Sequence, residues 1–137
     1  MNVILKKADY DAIVAHARVC LPEEACGLIA GHVEGETKTI DKVFFLTNID
    51  RSAEHFSIDL REQLAAVRKA RTNGWAMLGN WHSHPETPSR PSAEDIRLAV
   101  DSAASYLILS LAEAVPVLNA FSVKSGIAEK ETLIIKE

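Results

Sequence analysis

The segment from residue 75 to residue 95 constrains the fold of this chain more than any other. Residues 75–81 form an apolar run that predicts a central β-strand, and His82 and His84 stand at its end. Three prolines then fall within seven residues, which predicts a stiff loop. Ser92 opens a helical pattern directly after that loop. The chain is therefore expected to pass from a strand through a stiff loop into a helix.

The same segment carries a candidate metal site. His82 and His84 stand at positions i and i+2 of a strand, so their imidazoles project to the same face. Asp95 follows His84 by 11 residues, in the first turn of the next helix, and the stiff loop can return it to the strand end. Two imidazoles and one carboxylate suit Zn²⁺ and leave a fourth tetrahedral position for water, as in catalytic zinc sites. In such sites the pKa of the bound water falls to roughly 7.

Each of these residues has a simpler interpretation when it is taken alone. Ser92 and Asp95 are typical of a helix N-cap followed by a first-turn acid, and two strand-end histidines can simply be hydrogen-bonded. The N-cap and a chemical role can coexist for Ser92. The combination of all three ligand types at this spacing favours metal binding over separate structural roles.

The remaining sequence alternates between strand and helix patterns. Further strands are predicted at residues 3–5, 25–31, 39–46, 56–58, 106–111, 115–123 and 132–136, with a hairpin turn at 32–38. Helices are predicted from Asp9 up to Pro22, from a capping box at 59–62 up to Asn73, and from Ser92 onward. Their apolar faces are expected to be Leu60, Leu64 and Val67 in the second helix and Ile96, Ala99, Val100 and Ala103 in the third. These patterns predict an α/β sandwich, with one mixed β-sheet flanked by helices.

The composition of the 137 residues indicates one globular domain, residues 1–137. Of these residues 47% are hydrophobic and 25% are charged, and 15 basic against 19 acidic side chains give a net charge of −4. No dense basic run occurs, so nucleic acid is not expected as a partner. No run approaches the ~20 apolar residues of a membrane span, and two cysteines cannot build a disulfide scaffold. A cytoplasmic protein is expected, with a homo-oligomer left open.

Three short motifs resemble those of the JAMM (MPN+) metalloprotease family. Glu24-Ala-Cys-Gly27, His82-Ser-His-Pro85 and Ser92-Ala-Glu-Asp95 match its Glu-x-Cys-Gly, His-x-His-Pro and Ser-x-x-Asp motifs, with ten residues between the second histidine and the aspartate. The resemblance implies a fold like that of cytidine deaminases and one Zn²⁺ per chain, held by His82, His84 and Asp95. It also implies that Glu24 is the general acid and base and that Ser92 stabilises the oxyanion.

The chain resembles the stand-alone prokaryotic members of that family. Only 57 residues separate Glu24 from His82 and 42 follow Asp95, which leaves little space for the insertions with which eukaryotic members grip ubiquitin. Several prokaryotic members trim the C-terminus of ubiquitin-like sulfur-carrier proteins after a Gly-Gly pair. The resemblance therefore implies a zinc-dependent peptidase or isopeptidase that acts on such a protein.

Two other functions are considered beside this one. The first is a non-catalytic MPN-type scaffold that binds partners, although such relatives usually lack the metal ligands. The second is a base deaminase, whose usual zinc motif needs a Pro-Cys-x-x-Cys pair that this chain lacks.

Of the other residues, Cys26 and Cys20 are expected in packing rather than nucleophilic roles, and Trp75 and Trp81 in core or cleft packing. Surface or supporting roles are expected for His16, His32 and His55, and a place along the substrate groove for Asn48 and Phe56.

Overall fold

Seven strands and three helices make up the computed structural model, which describes residues 1–137. The strands are β1 (Asn2–Lys6), β2 (Cys26–Glu34), β3 (Thr37–Leu46), β4 (Ala76–His84), β5 (Ser105–Ser110), β6 (Val117–Lys124) and β7 (Ile127–Lys136). The helices are α1 (Lys7–Cys20), α2 (Leu60–Thr72) and α3 (Ala93–Leu98).

The strands form one mixed sheet, as the sequence predicts, in the order β1-β3-β2-β4-β5-β6-β7. Strand β1 pairs in parallel with both β3 and β7, so the sheet closes on itself. Strands β4 and β5 are also parallel, and the other neighbours are antiparallel. Closure gives every strand two partners and leaves no free edge for non-specific strand pairing.

Strand β4 lies inside the sheet between β2 and β5. Its His82 lies opposite Cys26 of β2, and its His84 lies opposite Ser110 of β5. Because β2 runs antiparallel to β4, the residues just before β2 lie beside the end of β4. The topology therefore brings Glu24 to the sheet end that carries the two histidines.

Helices α1 and α2 pack against separate apolar clusters. Helix α1 buries Ile13, Val14 and Ala17 in a cluster that also contains Trp81 and Leu107. Helix α2 belongs to a smaller cluster, formed by Ala66, Ala70, Leu28, Ala30 and Phe44. No helix combines the length and the apolar character that crossing a membrane requires.

The predicted apolar face and capping box of α2 are wrong. Leu60 and Leu64 are 68% and 48% exposed, and the helix instead packs through Ala66 and Ala70, whose small side chains allow a close approach to the sheet. Asp59 caps the helix as expected, but the Glu62 carboxylate accepts hydrogen bonds from Thr47 instead of returning to the Asp59 backbone. Thr47, which is distant in sequence, has thus replaced the Asp59 backbone as the hydrogen-bond partner of the Glu62 carboxylate.

The third helix is shorter than the sequence predicts, and none of its residues is buried. It ends at Leu98, Ala99 is extended, and Val100 is 93% exposed, so the expected inward face of Ile96, Ala99, Val100 and Ala103 is wrong. The chain has to leave the helix early because β5 begins at Ser105, in register with Gly79 of β4.

Two smaller predictions are corrected as well. The predicted hairpin turn at 32–38 is confined to residues 35–36, because β2 and β3 extend to Glu34 and from Thr37. The predicted strand at 56–58 is reduced to an isolated bridge between Ile58 and Asn48. In both places the pairing partner, and not the local composition, sets the length of the strand.

Gly27 lies where β2 passes closest to its neighbours. A Cβ atom at this position would overlap the Phe44 carbonyl oxygen and Nε1 of Trp81. These two atoms are themselves joined by a buried hydrogen bond of 3.0 Å, which the indole N–H donates. The absence of a side chain at Gly27 therefore leaves room for this hydrogen bond.

We expect Gly27→Ala to lower the free energy of unfolding by about 3 kcal/mol, because an added methyl group has to push apart a packed backbone and a buried indole. Urea denaturation followed by circular dichroism measures the change. Gly35→Asn is the control, since Gly35 has a φ of 58° but open space around its Cβ position, and asparagine tolerates that φ. Wild-type stability of Gly27→Ala would contradict the packing argument.

Candidate metal centre

The structure brings His82, His84 and Asp95 together at the end of β4. The two Nε2 atoms are 3.1 Å apart, and each lies 3.2 Å from Oδ2 of Asp95. Both histidines are buried, and Asp95 is partly buried. Three potential ligand atoms from two elements therefore form a nearly equilateral triangle.

This triangle fits a zinc ion. Ligands at 2.0–2.1 Å from a tetrahedral Zn²⁺ lie about 3.3 Å from one another, close to the observed separations. The Nδ1–H of His84 donates to the Pro88 carbonyl oxygen at 2.9 Å, so its Nε2 presents a lone pair when the ring is neutral. With Nε2 of both rings unprotonated, two lone pairs and the carboxylate face one another and repel, and a divalent cation between them would relieve that repulsion. The donor set is therefore compatible with zinc.

The protonation states of Asp95 and His82 suit a metal, whereas burial of His84 is outweighed by hydrogen bonds to Asp95 and to the Pro88 carbonyl oxygen, which raise the His84 pKa. Burial opposes the charge of Asp95, but hydrogen bonds to His82 and His84 outweigh it and lower the Asp95 pKa well below its usual range. Burial lowers the pKa of His82, so this ring is held neutral. An ionised carboxylate and a neutral imidazole are the forms that bind metal ions.

Glu24 lies beside this cluster, immediately before β2. Its side chain is buried, and its Oε1 has no hydrogen-bond partner. Burial raises the Glu24 pKa to about 8, with the charge of His84 opposing the shift and that of Asp95 adding to it. Glu24 is thus a buried carboxyl group with a free oxygen atom and with two of the cluster residues as electrostatic neighbours.

Ser83 holds the start of β2 against the end of β4. Its side chain points away from the two histidines and accepts a hydrogen bond from the Ala25 N–H at 2.8 Å. Its own N–H donates to the Ala25 carbonyl oxygen at 3.0 Å. This reciprocal pair fixes the residue next to Glu24, and its partner lies 58 positions along the chain, too far for the local pattern to show it.

The loop between β4 and α3 is tied to the neighbouring strands. The Ser89 hydroxyl donates to the Ile108 carbonyl oxygen, and the Ser110 hydroxyl donates to that of Thr87, both at 2.6 Å. Asn119 of β6 donates to the Ser89 carbonyl oxygen at 3.2 Å. These bonds, together with the three prolines, fix the path that returns α3 to the histidines.

Helix α3 begins with a capping box that involves the cluster. The Ser92 hydroxyl oxygen accepts from the Asp95 N–H at 3.0 Å, and Asp95 Oδ2 accepts from the Ser92 N–H at 2.9 Å. The N-cap interpretation of these two residues is therefore confirmed. The Asp95 oxygen that completes the cap is also the one that faces both histidines, so capping orients the carboxylate.

A cavity of about 190 Å³ adjoins the cluster. Phe56, on the loop between β3 and α2, stacks on the His82 ring with centroids 4.8 Å apart. Asn80 Oδ1 is buried without a partner. The cavity is lined by His55, Phe56, Asn80, His82, Glu94, Asp95, Leu98, Ala99 and Tyr106.

Asn48 does not line this cavity, contrary to the sequence-based expectation. It is buried under the loop that carries Phe56, where its amide donates to the carbonyl oxygens of Glu24 and His55, both at 3.1 Å. Its oxygen accepts from two further N–H groups of the same loop. Asn48 therefore joins the backbone of Glu24 to the segment that places Phe56 against His82.

The packing roles expected for the cysteines and tryptophans agree with the structure. Cys26 is fully buried, and burial raises its pKa to about 12, which leaves no thiolate for nucleophilic attack. Trp81 lies in the larger apolar cluster, and Cys20, at the end of α1, packs against the same cluster. His55 pairs with Asp50 at 3.0 Å on the rim of the cavity.

Comparison with known proteins identifies relatives that share most of this chain. The family model described as prokaryotic homologues of the JAB domain (Prok-JAB) matches residues 6–124. CysO-cysteine peptidase of Mycobacterium tuberculosis is 36% identical over 109 residues, which are 79% of this chain and 73% of that protein. Desampylase of Haloferax volcanii is 30% identical over 105 residues, which are 73% of this chain and 74% of that protein.

Solved structures agree with the sequence comparisons. The solution structure of a protein from Desulfitobacterium hafniense is 51% identical with a TM-score of 0.90, and the match covers 100% of this chain and 94% of that one. A JAB1/MPN domain protein from Archaeoglobus fulgidus, at 18% identity and a TM-score of 0.60, has the same fold over 98% of this chain and 99% of its own. The matched family residues run from the end of β1 to the end of β6 and include the whole candidate site. The resemblance seen in the three motifs is confirmed, and the chain belongs to the family of prokaryotic homologues of the JAB domain.

Proposed function

We propose that this protein is a zinc-dependent peptidase or isopeptidase that cuts a ubiquitin-like sulfur-carrier protein after its C-terminal Gly-Gly pair. The observation that carries the proposal is the convergence of His82, His84 and Asp95 beside the buried carboxyl group of Glu24. The similar proteins with the names CysO-cysteine peptidase and desampylase support peptidase chemistry. The sulfur-carrier substrate follows from the resemblance to stand-alone prokaryotic members of the family.

His82, His84 and Asp95 would hold one zinc ion per chain. When bound, zinc acts as a Lewis acid that polarises the scissile carbonyl group and lowers the pKa of water. The chain prepares the site through the Pro88 carbonyl oxygen, which fixes the His84 ring, and through the capping box, which fixes the Asp95 carboxylate. Preorganised ligands of this kind need little rearrangement when the metal binds.

Glu24 would act as the general base and then as the general acid. Its unpartnered Oε1 can accept a proton from the attacking water and later deliver that proton to the leaving amine. Burial has raised its pKa to about 8, and a nearby cation would bring that pKa back towards neutrality. A group with a pKa close to the working pH can both take up and release a proton within one catalytic cycle.

Ser92 would stabilise the oxygen of the attacked carbonyl group. Its hydroxyl oxygen is occupied as the acceptor of the Asp95 N–H, but its hydroxyl hydrogen is left free to donate. The Ser92 side chain is exposed at the start of α3, close to Asp95, where a bound substrate can meet it. The capping hydrogen bond therefore orients the Ser92 hydroxyl group and leaves its hydrogen available to the substrate.

The cavity beside the cluster supports a substrate with small residues at the cleavage site. Its volume of about 190 Å³ is below the ~300–1,000 Å³ of ordinary ligand pockets. The stacked Phe56 ring closes one side, which suits an extended tail without side chains better than one with bulky residues. A Gly-Gly pair meets that requirement.

A cleavage assay on paired substrates tests the proposed function. A ubiquitin-like sulfur carrier with a short extension after Gly-Gly is incubated with the zinc-loaded protein, and intact-mass spectrometry identifies the products. We expect a cut after the second glycine and at least tenfold slower cleavage of a Leu-Leu counterpart. Equal cleavage of both substrates would overturn the Gly-Gly specificity. Binding without cleavage of either would favour the non-catalytic scaffold.

Substitutions at Ser92 separate its oxyanion role from its capping role. Ser92→Ala is expected to lower stability by about 1 kcal/mol, through loss of the cap, and the rate by about 100-fold, through loss of the hydroxyl donor. Ser92→Gly keeps most of the capping energy but has no hydroxyl, whereas Ser92→Thr keeps both. We expect Ser92→Gly to be stable and slow and Ser92→Thr to be stable and active in the cleavage assay. A fast Ser92→Gly variant would leave Ser92 only its structural role.

A further inference from the structure

A second cavity lies at the other end of β4 from the metal-ligand cluster. It has a volume of about 380 Å³ and is bounded by residues near the starts of β1, β3, β4 and β7 and near the end of β6. Leu78, which lines it, precedes His82 by four residues on the same strand. At about 3.3 Å per residue these two positions are about 13 Å apart. The second cavity is therefore separate from the proposed catalytic site.

Two buried charged residues face this cavity. Lys38 is 5% exposed, and Glu131 is 8% exposed. The Lys38 ammonium group donates to the Ala103 carbonyl oxygen at 2.6 Å and to the Ser105 hydroxyl at 2.7 Å, which leaves one of its three donors free. Oε1 of Glu131 is buried without any partner. Buried charged side chains are rare, and a buried carboxylate oxygen without a partner is rarer still, so Glu131 beside Lys38 calls for an explanation.

Lys38 and Glu131 do not pair with each other. The ion pairs of the chain are formed by other residues, although the charge of Glu131 raises the Lys38 pKa against the larger lowering by burial. The two groups are thus electrostatic neighbours across a cavity rather than a closed salt bridge. A cation donor and an anion acceptor are both available to a molecule placed between them.

The other residues that line the cavity limit the chemistry of such a molecule. Lys124, Lys130 and Glu129 add charges of both signs at the exposed rim, while Met77 and Leu78 add apolar surface. An inorganic anion would leave the Glu131 oxygen unpaired, and a neutral apolar molecule would leave both buried charges unpaired. A zwitterion with an apolar body satisfies both charges and the apolar wall.

We propose that this cavity binds a free α-amino acid with an apolar side chain, whose ammonium group pairs with Glu131 and whose carboxylate pairs with Lys38. The side chain lies against Met77 and Leu78. The cavity volume falls within the range of small-molecule sites.

Isothermal titration calorimetry with L-leucine tests this proposal on the zinc-loaded full chain. N-acetyl-L-leucine lacks the ammonium group, and 3-methylbutylamine lacks the carboxylate. We expect L-leucine to bind and each analogue to bind at least tenfold more weakly. Since amino acids also chelate zinc, the titration is repeated on metal-free Asp95→Asn protein, in which L-leucine is expected to bind with the same affinity. Binding that disappears with the metal would place the ligand at the zinc site and overturn the proposal.

A substitution at Glu131 links the binding to this cavity. Glu131→Gln keeps the side-chain size but removes the charge, and we expect it to weaken L-leucine binding at least tenfold. Glu113→Gln, at an exposed position outside the cavity, is the matched control and is expected to bind like the wild type. Unchanged binding by Glu131→Gln, equal binding of N-acetyl-L-leucine, or no binding of L-leucine would each overturn the proposal. The comparison of ligands on the wild type remains decisive if Glu131→Gln does not fold.

Discussion

Asp95→Asn is expected to lose zinc and, with it, almost all hydrolytic activity. The substitution removes the only carboxylate of the proposed ligand set, whose Oδ2 lies 3.2 Å from both Nε2 atoms. Loss of residues that merely support metal ligands costs about 10–100-fold in affinity or activity, so loss of a ligand is expected to exceed about 100-fold. Zinc content after dialysis, measured by native mass spectrometry, gives the first readout, and the cleavage rate gives the second.

The choice of asparagine keeps the structural role of this residue separate from its charge. An asparagine oxygen can still accept from the Ser92 N–H, so the start of α3 is expected to stay capped. Glu94→Gln is the matched control, because it removes a neighbouring carboxylate on the same helix that lies outside the three-residue cluster. Full zinc occupancy in Asp95→Asn, or equal zinc loss in Glu94→Gln, would contradict the assignment of Asp95 as a ligand.

Glu24→Gln is expected to retain zinc but to lose about 10²–10⁴-fold in the cleavage rate. Glutamine has nearly the same shape and can occupy the same buried position, but it cannot take a proton from water. Because Glu24 does not belong to the ligand triangle, native mass spectrometry is expected to find one zinc per chain in this variant. The combination of full metal content and lost activity distinguishes a proton carrier from a ligand.

The neighbouring glutamate supplies the control for that experiment. Glu23 precedes Glu24 in the sequence, is less buried, and has no contact with the cluster residues among its hydrogen bonds. Glu23→Gln is therefore expected to cleave substrate at the wild-type rate. An active Glu24→Gln variant would remove Glu24 from the mechanism, and an inactive Glu23→Gln variant would show that any charge loss here disturbs the site.

The candidate site could be predicted from the sequence because its ligands follow from local geometry. Alternation along a strand places His82 and His84 on one face, and the prolines limit where the following helix can begin. The position of Glu24 was different, since only the motif resemblance selected it. The structure supplies the physical reason, which is the antiparallel pairing of β2 with β4.

The features that sequence reasoning missed depend on contacts between distant residues. Ser83 is hydrogen-bonded to Ala25, and Asn119 is hydrogen-bonded to Ser89. The Asn48 amide donates to the carbonyl oxygens of Glu24 and His55. The apolar spacing of α2 predicts a buried face that contains Leu60 and Leu64, but both are exposed and the helix packs through its alanines. Closure of the sheet likewise depends on β1 and β7, from the two ends of the chain.

Zinc titration into the metal-free wild type tests the central claim most directly. The metal is removed with a chelator, zinc is added back in steps, and cleavage of the Gly-Gly substrate is followed by intact-mass spectrometry. We predict no cleavage without metal and a linear recovery that is complete at one zinc per chain. Full activity after the metal has been removed, or no activity at any zinc occupancy, would contradict a zinc-dependent peptidase built on His82, His84 and Asp95.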